Sequence, residues 1–348
     1  NTFMIRMKVH QFPNRTIEIN QETFRYFGGT AYLGLPTLPE FQEIIFKNIQ
    51  RWGTAYGSSR NANVQLSAYD TGETHLAQFI QADAAVTISS GMLAGKLTID
   101  FLSKSTDVFY HFPNAHPAIQ RKDSIPLLIE NELNPRILDH KKEKITIVTD
   151  AVPSFQTQAI NLKILDSIPS HKEITLVVDE SHSIGILGEN GAGIYSSITN
   201  PNIKRKILVA SLGKALGLTG GVIASDSNFI QEIKNYDTFV SAAGMNPAYV
   251  QTLAQTGNLV QQQLKKLQDN LNYLAQHLQP NPKINFTTNY PSIYLDWDKS
   301  YEILLKNKIV ITHFNYPSDQ KTLNRIVISA NHQKEDLDQL VQVLNSFL

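Results

Sequence analysis

The chain has 348 residues, and its 31 Lys and Arg balance 31 Asp and Glu, so it carries no electrostatic footprint for nucleic acid or a polybasic membrane surface. It has no cysteine, which excludes a disulfide framework, a thiolate metal site and a cysteine nucleophile. With 42% hydrophobic and 18% charged residues it reads as globular, with length for about two domains.

In chain order, the opening Asn1-Thr-Phe-Met-Ile-Arg-Met-Lys-Val9 has no long apolar core and no small-residue cleavage site, so no signal peptide is expected. No apolar run reaches the about 18 residues of a membrane span. The expected setting is the cytoplasm, with no membrane or nucleic-acid partner. Thr16-Ile-Glu-Ile-Asn20 and Thr23-Phe-Arg-Tyr-Phe27 alternate as two short strands. Phe41, Ile44, Ile45, Ile49 and Trp52 recur at helical spacing and predict a helix over 39–52. Residues 53–63, rich in Gly, Ser and Asn, predict a loop. Short β-branched runs then follow at 84–89, 108–110, 145–149, 174–178 and 207–210. Each reads as a buried strand, with helix or loop between them. That alternation predicts an α/β domain with a mostly parallel sheet. From Pro247 the leucines and valines step at helical spacing, predicting one long helix, or two joined, over 247–279. Strands near 292–296 and 325–329 and a helix over 334–348 complete a smaller α+β region. The expected division is an N-terminal segment 1–45, a large α/β domain 46–250 and a small domain 251–348.

Ligands in such sheets sit beyond the carboxyl ends of the strands, so the residues after each run carry the functional reading. After the first run, Ser89-Ser90-Gly91-Met92 opens a helix. Small residues there let backbone N–H groups approach a phosphate, although a plain helix cap explains them equally. After 174–178 come Asp179-Glu-Ser-His182. An acid at the end of a buried strand is costly unless a cation pairs with it; the bland alternative is an Asp capping a turn beside a solvated His. After 207–210 come Ser211-Leu-Gly-Lys214-Ala-Leu-Gly217. A lysine among small uncharged residues has the setting of a nucleophilic amine, or of a loop lysine in water. A nucleotide motor fails on detail. The stretch Gly91-Met-Leu-Ala-Gly-Lys96-Leu97 has Ser90 where a phosphate loop needs its first Gly, and Leu97 where it needs Ser or Thr.

Pyridoxal phosphate (PLP) joins the pieces. It requires a lysine, a carboxylate opposite the pyridine nitrogen and a phosphate cup. Lys214, Asp179 and Ser90-Gly91-Met92 supply them at strand ends. An ion pair at about 3 Å is worth roughly 5 kcal/mol before desolvation at an effective dielectric constant of about 20. That is enough to keep the ring nitrogen protonated.

At these motifs the sequence resembles the α-oxoamine synthases of the fold-type I PLP enzymes, a family that includes 8-amino-7-oxononanoate synthase. Asp179-Glu-Ser-His182-Ser-Ile-Gly185-Ile-Leu-Gly188-Glu-Asn-Gly191-Ala-Gly193 matches the family's Asp-x-x-His-x-x-Gly-x-x-Gly-x-x-Gly-x-Gly stretch, and Ser211-Leu-Gly-Lys214 its lysine motif. Tyr32-Leu-Gly-Leu35, Val148-Thr-Asp150-Ala-Val-Pro-Ser154 and Asn324-Arg325-Ile-Val-Ile-Ser329 resemble further family segments. The resemblance implies a fold-type I transferase fold, a mostly parallel sheet flanked by helices with a smaller α+β C-terminal domain. It implies a homodimer that condenses an amino acid with an acyl-CoA and releases CO₂. It also implies roles: His116 stacks on the pyridine ring, His182 bonds its phenolic oxygen, and Ser211 touches the phosphate or a neighbouring ring substituent. Arg325 binds the amino-acid carboxylate, and Ser154 belongs to the substrate site. No metal is implied. Thr30-Ala31, Phe155-Gln-Thr-Gln158 and Ala242-Ala243 depart from the family pattern. An aminotransferase shares the same PLP core and is the alternative enzyme. A non-catalytic regulator or scaffold on the same fold would leave Lys214 dispensable.

Overall fold

The structure, a computed structural model, describes residues 7–315 and 322–346. The opening six residues and the last two of the expected C-terminal helix lie outside them. By contact the chain forms two compact units. The larger contains Glu40–Ser154 and Ala159–Asn258; the smaller contains the chain up to Pro39, Phe155–Gln158, and the chain from Leu259. These divisions differ from breaks at 45 and 250. The N-terminal strands go with the C-terminal part because Glu22–Phe27 pairs in parallel with Ile309–Asn315 and extends its sheet.

The larger unit is built on a seven-stranded sheet in the order Ala84–Ile88, Gly221–Ser225, Ile203–Ser211, Lys172–Asp179, Glu143–Asp150, Val108–His111 and Ile125–Pro126. Gly221–Ser225 is antiparallel to both neighbours, and the remaining pairs are parallel. The five strands expected from the apolar runs are all present. Gly221–Ser225 escaped the sequence reading because a five-residue run between glycines and a helix cap carries no period to identify it. Both faces are covered, as a parallel sheet requires. Ile174, Leu176 and Val178 pack in one core, and the intervening Val177 joins Val86, Ile88, Leu97 and Phe229 in the other. This topology brings the carboxyl ends of Ala84–Ile88, Glu143–Asp150, Lys172–Asp179 and Ile203–Ser211 to one edge.

The expected helix over 247–279 is two helices, Pro247–Gln255 and Gly257–His277. Thr256, at φ −111° and ψ 9°, and then Gly257 interrupt it. In the smaller unit six strands run Thr16–Ile19, Glu22–Phe27, Ile309–Asn315, Thr322–Val327, Ser292–Leu295, Ile284–Asn285. The first two are joined by Asn20 and Gln21, both left-handed at φ 52° and 65°, the geometry of a tight hairpin turn. The closing helix, Lys334–Asn345, starts on a reciprocal Gln333–Asp336 cap, and the buried Asp336 also pairs with Arg15 at 2.8 Å and Arg25 at 2.7 Å. Among the described residues no helix is long and apolar enough to cross a membrane.

Candidate active site

Asp179 ends its strand buried, 7% exposed, with its Oδ1 accepting the Ser181 N–H at 2.9 Å. Ser181 then turns its hydroxyl to the next strand, where Oγ accepts the Ser211 N–H at 2.8 Å. The motif between Asp179 and His182 thereby fastens two strand ends together. Past Ser211 the chain turns, closed by Leu218 N–H on Leu212 O and Leu212 N–H on Gly220 O. This turn presents the half-buried Lys214, whose Nζ lies 2.8 Å from His182 Nε2.

The helix Gly91–Leu102 starts beside them. Ser90 caps it, its hydroxyl accepting the Leu93 N–H at 3.2 Å. The Gly91 and Met92 N–H groups belong to the first turn, before any intrahelical acceptor. Met92 is 50% exposed, which leaves its backbone N–H as the part that faces the strand end. A Cβ on Gly91 would meet the Ser211 backbone at 2.7 Å, so glycine is what lets the helix start touch that strand end. The cap is present, and it leaves the first N–H groups of the helix at the strand end.

His116 lies in the turn after Val108–His111. Its ring is 45% exposed, with Nδ1 3.9 Å from Asp179 Oδ2. The same Nδ1 accepts the Ala118 N–H at 3.2 Å, and burial lowers the imidazole pKa against the raising effect of Asp179. The ring is therefore a neutral neighbour of Asp179, and the 3.9 Å approach is not an ion pair.

Two acids beside these residues had no role in the sequence reading. Asp150 pairs in register with Asp179 on the adjacent strand and is 8% exposed. Burial and then the Asp179 charge push its carboxyl well above the usual range, while Lys214 and a bond from the His116 backbone N–H oppose them. The signal was in the sequence: Asp150 follows the run 145–149 as Asp179 follows 174–178. Glu180 is fully buried and accepts the Ile194 N–H on both oxygens at 3.0 Å and the Ser183 hydroxyl. Burial raises it to about 7. It holds the glycine loop. At Gly193, φ is 88° and a Cβ would stand 2.4 Å from Glu180 Oε2.

Ser154 is the half-buried last residue of its segment of the larger unit. Arg325 belongs to the smaller unit. It sits mid-strand opposite Thr312 and Tyr294, is 9% exposed, and its charge opposes the burial that raises the phenols of Tyr26 and Tyr290. A buried guanidinium on an inner strand is not the surface residue that an Arg at a strand start ordinarily is.

The residues of the larger unit fit pyridoxal phosphate. Asp179 is a buried carboxylate with no Lys or Arg at ion-pair distance among the described residues. Such a group is costly unless a cation such as a protonated ring nitrogen meets it. Lys214 offers the amine, and the Ser90–Met92 helix start is in backbone contact with Ser211.

Comparison with known proteins agrees with this geometry. The chain is 28% identical, over 98% of its length and 94% of the relative's, to a Rippkaea orientalis protein provisionally designated 8-amino-7-oxononanoate synthase. It shares its fold with the serine palmitoyltransferase of Sphingomonas wittichii, at a TM-score of 0.84 and 19% identity over 98% of this chain and 91% of that one. A high-resolution serine palmitoyltransferase structure with PLP superposes at a TM-score of 0.81 and 18% identity, over 98% and 92% of the two chains. Residues 139–344, spanning the Asp179, Lys214 and Arg325 motifs, match the model of the family described as aminotransferase class I and II. The chain belongs to the class I and II aminotransferase family.

Proposed function

We propose that the protein is a PLP-dependent acyltransferase of the α-oxoamine synthase type, acting as a cytoplasmic homodimer. It joins an amino acid to an acyl-CoA and yields an aminoketone, CO₂ and free CoA. The observation that carries this reading is the cluster at the sheet edge: Lys214 Nζ at 2.8 Å from His182, beside a buried Asp179. The likeness to 8-amino-7-oxononanoate synthase and serine palmitoyltransferase supports acyl transfer over amino exchange.

When bound, the cofactor supplies an electron sink for the bonds broken at the amino-acid α-carbon. The chain supplies the rest. The Gly91 and Met92 N–H groups would bind the phosphate, and the Ser211 hydroxyl the phosphate or a neighbouring ring substituent. Asp179 holds a proton on the ring nitrogen. With the cofactor bound, His116 would lie against the ring and His182 would hydrogen-bond its phenolic oxygen. Lys214 takes the α-proton on Nζ and returns it. The substrate carboxylate is assigned to Arg325, since a guanidinium takes a carboxylate with two parallel N–H bonds, and Ser154 is assigned to the substrate. Fixing the carboxylate sets which bond stands perpendicular to the ring, which is orientation catalysis.

The test is a thiol-release assay on the PLP-loaded protein over a matrix of Ala, Gly and Ser against acyl-CoA chain lengths, with a keto-acid panel beside it. Amino-acid-dependent CoA release is expected, together with loss of both turnover and borohydride-trapped cofactor in Lys214→Ala. Keto-acid exchange without CoA release would assign an aminotransferase instead. A Lys214→Ala protein that still traps the cofactor on another lysine would overturn the site.

A further inference from the structure

The ring of His116 is almost half exposed, so its position over Asp179 is inherited from its backbone. That backbone is held from two sides. On one side, Asp150 ends the strand whose Val148 O takes the Phe112 N–H at 3.0 Å, and the His116 backbone N–H is among the influences that lower its carboxyl. Beside it, Lys96 reaches out of the helix Gly91–Leu102 and its Nζ donates to Pro117 O and, at 3.2 Å, to Gln120 O. The preceding residue, Gly95, lies against the same turn: a Cβ there would meet Ala118 O at 2.8 Å. Within the turn, Ile119 N–H bonds to His116 O at 3.0 Å and Ala118 N–H to the imidazole. Lys96 thus binds carbonyls rather than a phosphate, and does so a little over one turn along the helix whose first residues form the cup.

We infer that Lys96 and Asp150 are positioning residues that clamp the 116–120 turn and thereby place the His116 imidazole. The inference rests on the PLP reading of the site. The consequence is that one helix serves both ends of the cofactor: its start meets the phosphate, and Lys96 places the residue against the ring. Asp150 faces Asp179, Lys214 and His116; Lys96 adds positive charge near the imidazole.

The test compares Lys96→Met, Lys96→Arg, Asp150→Leu and Asp150→Asn, each alone and combined with His116→Ala, by equilibrium PLP binding to the apoprotein. Lys96→Met and Asp150→Leu should each weaken binding by about tenfold, the scale of one or two lost hydrogen bonds. Lys96→Arg and Asp150→Asn, which keep the donor and the acceptor, should recover most of that loss. On the His116→Ala background neither disruptive change should weaken binding further, because residues acting through one partner are not additive. Equal losses with and without His116 would overturn the clamp. A second readout needs no cofactor: the His116 ring titration in the apoprotein, followed by NMR, should move to higher pH in Lys96→Met and stay in place in Lys96→Arg. An unmoved titration in Lys96→Met would equally overturn it, and this readout decides even if Asp150→Leu does not fold. Failure of the unmodified protein to bind PLP would instead overturn the reading of the site, and is separately visible.

Discussion

Asp150 and Asp179 end neighbouring strands in register, and both are buried, yet they have different surroundings. Asp179 takes the Ser181 N–H at 2.9 Å. Asp150 lies beside the Asp179 charge and in a dry setting, and its carboxyl is raised. Two carboxylates this close do not both ionise readily, so the pair divides into one charge and one acid. Asp179→Asn removes the charge, and turnover should fall by at least about 100-fold, about 2.7 kcal/mol of transition-state stabilisation, while PLP still binds. CoA release under saturating substrate measures it, and near-normal turnover would mean that the ring nitrogen has another partner. Asp179 was legible because an acid closing an apolar strand is expensive. The reason Asp150 matters was not legible: which strand neighbours which, and in what register, is fixed by tertiary packing.

The glycine loop after His182 shows how an element is held by one side chain. Glu180 accepts the Ile194 N–H and the Ser183 hydroxyl, closing the chain over the turns between them. Its folded pKa, about 7, lies above the ordinary 4.5 because the site is dry. Below the ordinary value both folded and unfolded chains hold the proton. As pH rises from there to 7, the unfolded chain releases it and the folded chain keeps it, so stability falls through that window and is flat above it. The loss amounts to about 3 kcal/mol. Chemical denaturation across pH should show this slope, and Glu180→Gln should flatten it whatever its own stability; parallel slopes in the two proteins would place the titration elsewhere. The motif spacing announced a glycine loop but not its anchor. In the same way the apolar runs announced five strands of the large sheet, while Gly221–Ser225 and Ile309–Asn315, short and without a distinguishing period, came only from pairing with neighbours already in place.

At the scale of the molecule, the two ends of the chain build one sheet. Nothing in the local pattern of Glu22–Phe27 points to Ile309–Asn315, so the N-terminal strands read as a separate segment in the sequence. The proposed homodimer is likewise a matter of surfaces. The polar groups of the loop 53–63 are tied within their own unit. Ser59 Oγ donates to Val240 O at 2.9 Å and Asn61 Nδ2 to Lys234 O at 2.7 Å, while Arg60 pairs with Glu73 at 2.9 Å and covers the Tyr69 ring at 3.6 Å. The helix before it, Pro39–Trp52, is different. It buries Phe41 and Asn48, leaves Ile44, Ile45 and Ile49 only half covered, and carries Phe46 at 61% exposure. A two-fold interface uses the same patch on both partners, so the position of Phe46 counts twice. Covering one phenylalanine is worth about 1.5–3 kcal/mol, hence about 3–6 kcal/mol per dimer. Phe46→Glu should therefore raise the dimer dissociation constant by at least about 100-fold. Sedimentation velocity at micromolar concentration should show a dimer for the unmodified PLP-bound protein and a growing monomer fraction for the variant. A fully active monomer would refute the dimer, and a variant that stays dimeric at every concentration would move the interface off this helix.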